Sequence, residues 1–172
     1  MENNIFYIEE LFLKVEDFFG KGEFAEGKKV LEEILEQEPG YGRAHNHLGW
    51  LYYAKFDNFE KAKYHFGLAI KFACDYPASY LNYTYLLNYT NKHDELKKHV
   101  ELSLQKEGVV KSILYTELGK SYELNGFFKE AVQAYKEAIR YSLSKDEMKV
   151  LEQNVARVKE KIGIFSKRLF FF

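Results

Sequence analysis

A string of side chains recurs along this 172-residue chain at an interval of 35, and that recurrence constrains the fold more than any other feature. Leu118-Gly119-Lys120-Ser121-Tyr122, then Gly126, then Ala131, Tyr135 and Ala138 set the order leucine, glycine, tyrosine, turn glycine, alanine, aromatic, alanine. Upstream the same order reads Leu48-Gly49, Tyr52, Ala62, Phe66 and Ala69. Between them Tyr83-Thr84, Leu87, Leu96, Val100 and Ser103 hold the same places with altered side chains, so positions 48, 83 and 118 mark a regular period. A weaker copy precedes these: Lys14-Val15, Phe18, Gly22, Gly27, Leu31 and Ile34, closing at Pro39.

Each copy reads as two helices. Leu114, Leu118 and Tyr122 fall at i, i+4, i+8, and Ala131, Tyr135 and Ala138 at i, i+4, i+7, one apolar stripe per segment at helical spacing. Gly126, Asn91 ahead of Asp94, and Asp57-Asn58 supply cap and turn chemistry where the stripes break. With only Pro39 and Pro77 to interrupt it, the chain is expected to form helices over 4–19, 24–37, 42–55, 59–73, 78–90, 93–106, 110–125 and 128–142. A ninth is expected over 145–162. It starts at a capping box, Ser144 with Glu147, and carries one narrow stripe of Met148, Leu151, Val155, Val158 and Ile162. Lys149, Glu152, Arg157, Lys159 and Glu160 lie off that stripe, which suits a helix that caps a stack with a polar outer face.

This set of residues resembles the tetratricopeptide repeat family, a helix-turn-helix unit of about 34 residues, over most of the chain from Asn4 to Ser142. The resemblance implies an all-α, right-handed α-solenoid of four repeats plus a C-terminal capping helix. It gives one domain over 1–163, with repeats at about 4–39, 42–75, 77–108 and 110–142, followed by an apolar tail over 164–172. Three departures stand out. Repeat two carries one extra residue in its turn and Phe56-Asp57-Asn58 in place of the turn glycine; repeat three lacks the glycine and the alanines; repeat four closes at Tyr141-Ser142 without proline. In the family, small residues face each other where the helices of a repeat cross. The pairs here are Val15 with Gly27, Gly49 with Ala62, Thr84 with Leu96, and Gly119 with Ala131, so repeat three is expected to have the widest crossing.

The resemblance also implies a concave groove lined by the first helix of each repeat. Carried over copy by copy, the groove residues are Phe12, Glu16 and Phe19, then Arg43, Asn46, Trp50 and Tyr53, then Leu81, Tyr85, Asn88 and Tyr89, then Ile113, Thr116, Lys120 and Glu123. Aromatic anchors beside amides and a few cations suit an extended peptide or an amphipathic helix. The lysine-asparagine carboxylate clamp of the chaperone adaptors is not implied, because its first places hold Phe12 and Glu16.

Composition narrows the function further. Twenty-five Lys and Arg against 26 Asp and Glu give a net charge of -1, which opposes a nucleic-acid partner, and no apolar run approaches a membrane span. One cysteine, Cys74, allows no internal disulfide and is expected to be a buried or half-buried inert thiol. No basic, apolar and small-residue leader opens the chain, and the cytoplasm is the expected compartment. No nucleophile with its base, phosphate loop or ligand cluster appears. His45 and His47 sit two apart on a helix, about 200° apart in azimuth, and His65 stands by itself, so the histidines read as surface or cap residues and neither metal nor cofactor is expected. The expected function is a non-catalytic protein- or peptide-binding adaptor. The alternative is a self-associating module, a homodimer formed through the groove or through the tail residues Phe165, Leu169, Phe170, Phe171 and Phe172.

Overall fold

The structure is a computed structural model that describes the backbone of residues 2–168 and the side chains of residues 5–164. Nine helices run through the described residues: Glu2–Lys21 (α1), Phe24–Gln37 (α2), Gly42–Ala54 (α3), Phe59–Phe72 (α4), Pro77–Tyr89 (α5), His93–Ser103 (α6), Lys111–Leu124 (α7), Phe128–Tyr141 (α8) and Lys145–Arg168 (α9). No strand occurs among them. The fold is all-α and built of helix-turn-helix repeats. Pro77 opens α5, where a missing N–H costs nothing. Helix α9 runs six residues past the 162 expected from its stripe, and α6 stops three short of 106.

Turn chemistry follows the motif. Gly22 and Gly126 take φ of 77° and 78°, and where a copy lacks the glycine, Asp57 and Asn91 take the same left-handed turn at 48° and 52°. The amides of Glu23, Lys92 and Phe127 then donate to the carbonyls five residues back, Phe18, Leu87 and Tyr122. In repeat two the corresponding bond spans six residues, Asn58 to Tyr52, and takes up the extra residue. Asn58 also accepts from the Lys61 amide at 3.1 Å and so caps α4. At α9 only half of the expected capping box forms. Ser144 Oγ accepts from the Glu147 amide at 3.3 Å, while the Glu147 carboxylate accepts from the Ser142 hydroxyl instead of reaching back to Ser144.

The chain divides into two compact units, residues 1–86 and 87–172. In the first, α1 pairs with α2 and α3 with α4. Ile8, Leu11, Phe12 and Val15 of α1, Leu31 and Ile34 of α2, and Ala44, Leu48 and Leu51 of α3 form its core. Ala62 and Phe66 of α4 with Leu86 of α5 form a second cluster. In the other unit α7 pairs with α8 and α8 with α9, around Ala131, Tyr135, Ala138, Leu151 and Val158.

At the crossings the tightest neighbour of each glycine is an aromatic ring and not the expected small residue. A Cβ on Gly49 would sit 2.6 Å from the Phe66 ring, and one on Gly119 2.7 Å from the Tyr135 ring. In repeat one the arrangement is exchanged between helices. A Cβ on Gly27 of α2 would meet the Phe19 ring of α1 at 2.5 Å. The glycine and the aromatic of the motif are one device: the first makes room for the second.

Candidate binding clefts

Hydrogen bonds between successive repeats connect residues about one period apart. Arg43 donates to both oxygens of Glu9, 34 positions away, at 3.0 Å each. Asn82 donates to Asn46, 36 away, at 3.0 Å, and Asn125 to Asn91, 34 away, at 3.1 Å. Arg157 of α9 donates from Nε and Nη2 to the two oxygens of Glu123, again 34 away, at 3.0 and 2.7 Å. By this register α9 occupies the place that the first helix of a fifth repeat would take.

In the unit of residues 1–86 a cleft of about 310 Å³ is lined by Phe19 of α1, Asn46, His47 and Trp50 of α3, and Tyr76, Ala78 and Asn82 around the start of α5. Trp50 lies 5.7 Å from the Phe19 ring and 5.9 Å from Phe24, half-buried against the core, with the Lys55 ammonium 5.5 Å from its ring. His47 Nε2 is 3.0 Å from Glu16. Asn82 spends one amide hydrogen on Asn46, which leaves its carbonyl and second hydrogen for a ligand.

The structure brings Phe19, Asn46 and Trp50 into one cleft and places others elsewhere. Phe12 is only 2 % exposed and belongs to the core, stacked edge-on against Tyr41 and His47, because its position on α1 turns inward with Ile8 and Val15. Arg43 is pinned by Glu9 and lies 4.1 Å over the Phe12 ring. Asn46, 3 % exposed, serves through Asn82 rather than by direct contact. Tyr53 packs against Phe66, Leu86 and Phe59. Leu81 and Tyr85 are half-buried and do not line the cleft. His47, Tyr76, Ala78 and Asn82 join the cleft without having been anticipated; the one-period distance from Asn46 to Asn82 was the available signal.

Two histidines expected on the surface are joined instead. His45 is buried, and its Nε2–H donates to the Pro39 carbonyl at 3.0 Å, so its Nδ1 accepts from His65 Nδ1–H at 3.1 Å. Tyr52 stacks on His65 and Phe72 on His45. Burial holds both rings neutral, with His65 lowered to about 4 by desolvation and then by His45 itself. Cys74 is exposed, not buried, since it follows α4 in the turn before α5.

In the unit of residues 87–172 a second cleft, also about 310 Å³, is lined by Asn88, Lys120, Glu123, Leu124, Tyr135, Arg157 and Lys161. Glu123 is its hub. It accepts from Arg157, from Lys161 at 2.7 Å and from the Tyr135 hydroxyl at 3.0 Å, and these bonds hold its carboxyl down to about 2. Glu117 accepts from Lys120 at 2.6 Å and from the Asn88 amide. Thus Asn88 and Lys120 both line this cleft. Glu123 is a neutralised structural acid and not the open groove acid expected. Thr116 turns its hydroxyl back to the Ser112 carbonyl at 2.7 Å, and Tyr89 is 65 % exposed outside the cleft lining. Arg157, expected on the outer polar face of the cap, and Lys161 face this cleft because α9 stands in first-helix register. The tail calls on Phe165, Leu169, Phe170, Phe171 and Phe172 fall outside the described side chains.

Among the described residues no helix is long and apolar enough to cross a membrane. No known protein-family profile matches the sequence, and no curated protein is similar enough to count as a match. Solved structures do match. PilF of Pseudomonas aeruginosa superposes with a TM-score of 0.74 at 15 % identity, over 96 % of this chain and 78 % of that one. MamA of Desulfovibrio magneticus RS-1, from residue 41 to its end, gives 0.64 at 15 % identity over 89 % of this chain and 93 % of that one, and a double mutant of MamA gives 0.67 over the same shares. These are tetratricopeptide-repeat proteins, and the present chain has their fold.

Proposed function

We propose that the protein is a non-catalytic adaptor that binds a peptide segment of a partner protein in the cleft of Phe19, Trp50 and Tyr76. The observation that carries this reading is the joining of three aromatic rings to an asparagine ladder one repeat apart in a single cleft. Rings fill a pocket with little loss of rotamer freedom, and a half-satisfied amide pairs with a peptide backbone, which suits an extended or helical segment. The fold supports it as well, since repeat proteins of this architecture serve as interaction scaffolds. The place of work is the cytoplasm, where exposed Cys74 stays reduced.

The test uses the single tryptophan. Peptides enriched from a random display library on the purified chain are titrated while Trp50 emission is followed. Binding shifts the emission, and Asn82→Ala weakens binding about tenfold while the chain stays folded, with a drop in Tm of a few degrees from the lost bond to Asn46. If enriched peptides leave Trp50 emission unmoved, or nothing is enriched, the reading fails. A second reading, self-association, is favoured by Ile5, Phe6 and Leu13, large apolar side chains that stand exposed on α1. Sedimentation over a wide concentration range decides it: a strictly monomeric chain removes it.

A further inference from the structure

The cleft of the second unit differs from the first in what it shows to solvent. The carboxylates behind it are sunk, with the side chains of Glu123 in its lining and of Glu117 beneath Lys120 8 % and 9 % exposed, while the cations above them, Lys120, Arg157 and Lys161, are 49 %, 50 % and 41 % exposed. Three cations over two acids leave one positive charge in excess, and the acids face inward. The donors are not exhausted either. Arg157 uses three of its five hydrogens, on Glu123 twice and on Asn154 once; Lys120 and Lys161 use one of three each. Two hydrogens on each lysine, and one on Arg157 beyond its contact with the Tyr135 oxygen, therefore remain for an acceptor arriving from solvent. Beside them Leu124 stands 74 % exposed, an apolar contact at the rim of an ionic site.

The wider charge distribution points the same way. Residues 87–172 carry 16 Lys and Arg against 12 Asp and Glu, a net +4, whereas residues 1–86 carry nine against 14, a net -5. A field of that sign raises the local concentration of acidic partners at this unit.

We infer that the cleft formed by Lys120, Leu124, Arg157 and Lys161 binds an acidic peptide segment, with a side-chain carboxylate on the cations and a neighbouring aliphatic side chain on Leu124. This deepens, and rests on, the reading of the protein as a peptide binder. Buried Glu117 and Glu123 act as positioning residues that hold the three cations in one ring without occupying their outer hydrogens. A carboxylate entering that ring makes charge-assisted hydrogen bonds with groups whose side-chain freedom has already been restricted.

The probe is an eight-residue peptide alternating glutamate and leucine, acetylated and amidated so that its side chains carry its only charges, titrated into the ¹⁵N-labelled full chain. Its glutamine counterpart is the control. The glutamate peptide is expected to shift the Arg157 Nε–H and the amides around Leu124, and to bind about tenfold more tightly than the glutamine peptide. Lys120→Gln and Lys161→Gln are each expected to weaken it several-fold and to reduce its salt dependence, with hydrogen exchange of α9 confirming that the cap stays docked. Equal binding of the two peptides, or unchanged affinity in both lysine variants, overturns the inference. Inorganic phosphate giving the same shifts at the same affinity also overturns it, since the site would then take a free anion. If the display-selected peptide moves Trp50 while the glutamate peptide moves nothing in the second unit, this inference falls and the adaptor reading stands; if no peptide binds anywhere, both fall.

Discussion

The two units are built on one repeat and present opposite chemistry. Counting from the motif leucines 48 and 118, His47, Trp50 and Tyr53 of the first unit correspond to Glu117, Lys120 and Glu123 of the second. The row of Trp50 and Lys120 lines an aromatic cleft in one unit and an ionic one in the other, while Tyr53 packs into a core cluster where Glu123 lines the ionic cleft, and His47 lines the aromatic cleft where Glu117 holds Lys120. Their supports change with them. Phe66, which fills the space over Gly49, has no polar atom to offer, whereas Tyr135 over Gly119 donates its hydroxyl to Glu123. The scaffold fixes which positions meet; the side chains placed there decide what the meeting is for.

The largest test of this contrast removes Glu123. Glu123→Ala leaves the buried Tyr135 hydroxyl unpaired and releases the half-exposed Arg157 and Lys161 to solvent, and is expected to cost about 2–3 kcal/mol in chemical denaturation, with α9 losing hydrogen-exchange protection while α3 and α4 keep theirs. A loss under about 1 kcal/mol, typical of exposed ion pairs, would show that the hub is ornamental.

Acid should separate the units next. Both His45 and His65 have lowered affinity for protons in the fold, so the unfolded chain binds more protons and stability falls as pH falls. That contribution is complete above the ordinary value of 6.5 and disappears as pH approaches about 4, on the order of 3 kcal/mol at most from His65. Lys28 and Lys61 oppose protonation there, Glu32 favours it, and Tyr52, Tyr64 and Phe72 cover the rings. Glu123 also has a lowered value, and its stabilisation is present above 4.5 and lost as pH falls toward about 2. Amide spectra recorded through the titration should show α3 and α4 loosening first and the α7–α9 region only in stronger acid; His65→Gln should flatten the first step. The reverse order would break the comparison.

A smaller effect sharpens the crossing argument. Gly119→Ala places a Cβ against Tyr135, whose ring is tethered through Glu123, and is expected to cost about 1–3 kcal/mol. Gly49→Ala meets the untethered Phe66 ring and should cost less, because the ring can shift and alanine gains about 1 kcal/mol of helix propensity. Thermal melts of the pair would read the difference, and equal losses would refute the tether. Smallest of all, Asn58→Ala should cost about 1 kcal/mol by removing the cap of α4, detectable as a drop in Tm of a few degrees.

Much of the clefts was legible in advance, and the misses share a cause. Phe19, Asn46, Trp50, Asn88 and Lys120, picked out by their row on a first helix, line the two clefts. Phe12 reads as a groove residue from its row on α1, but Tyr41 and His47 cover it. His65 looked solitary because its partner His45 lies across a helix pair, 20 positions away, where local spacing carries no information. Arg157 reads as an outer-face residue and Lys161 carries no signal in sequence, because a lone amphipathic helix says which face is apolar but not which neighbour its polar face meets.

What the sequence determined by itself was the helical period, the turns and the repeat length. These depend on interactions within a few residues: apolar stripes, left-handed turn residues and caps, each readable from neighbours along the chain. Tertiary structure alone decided which side chains share a cleft and which charges remain open to solvent. A carboxylate such as Glu123 reads identically in sequence whether it faces water or lies under Arg157, Lys161 and Tyr135, and only the docking of α9 against α7 and α8 distinguishes a surface acid from the buried hub that turns its cations outward.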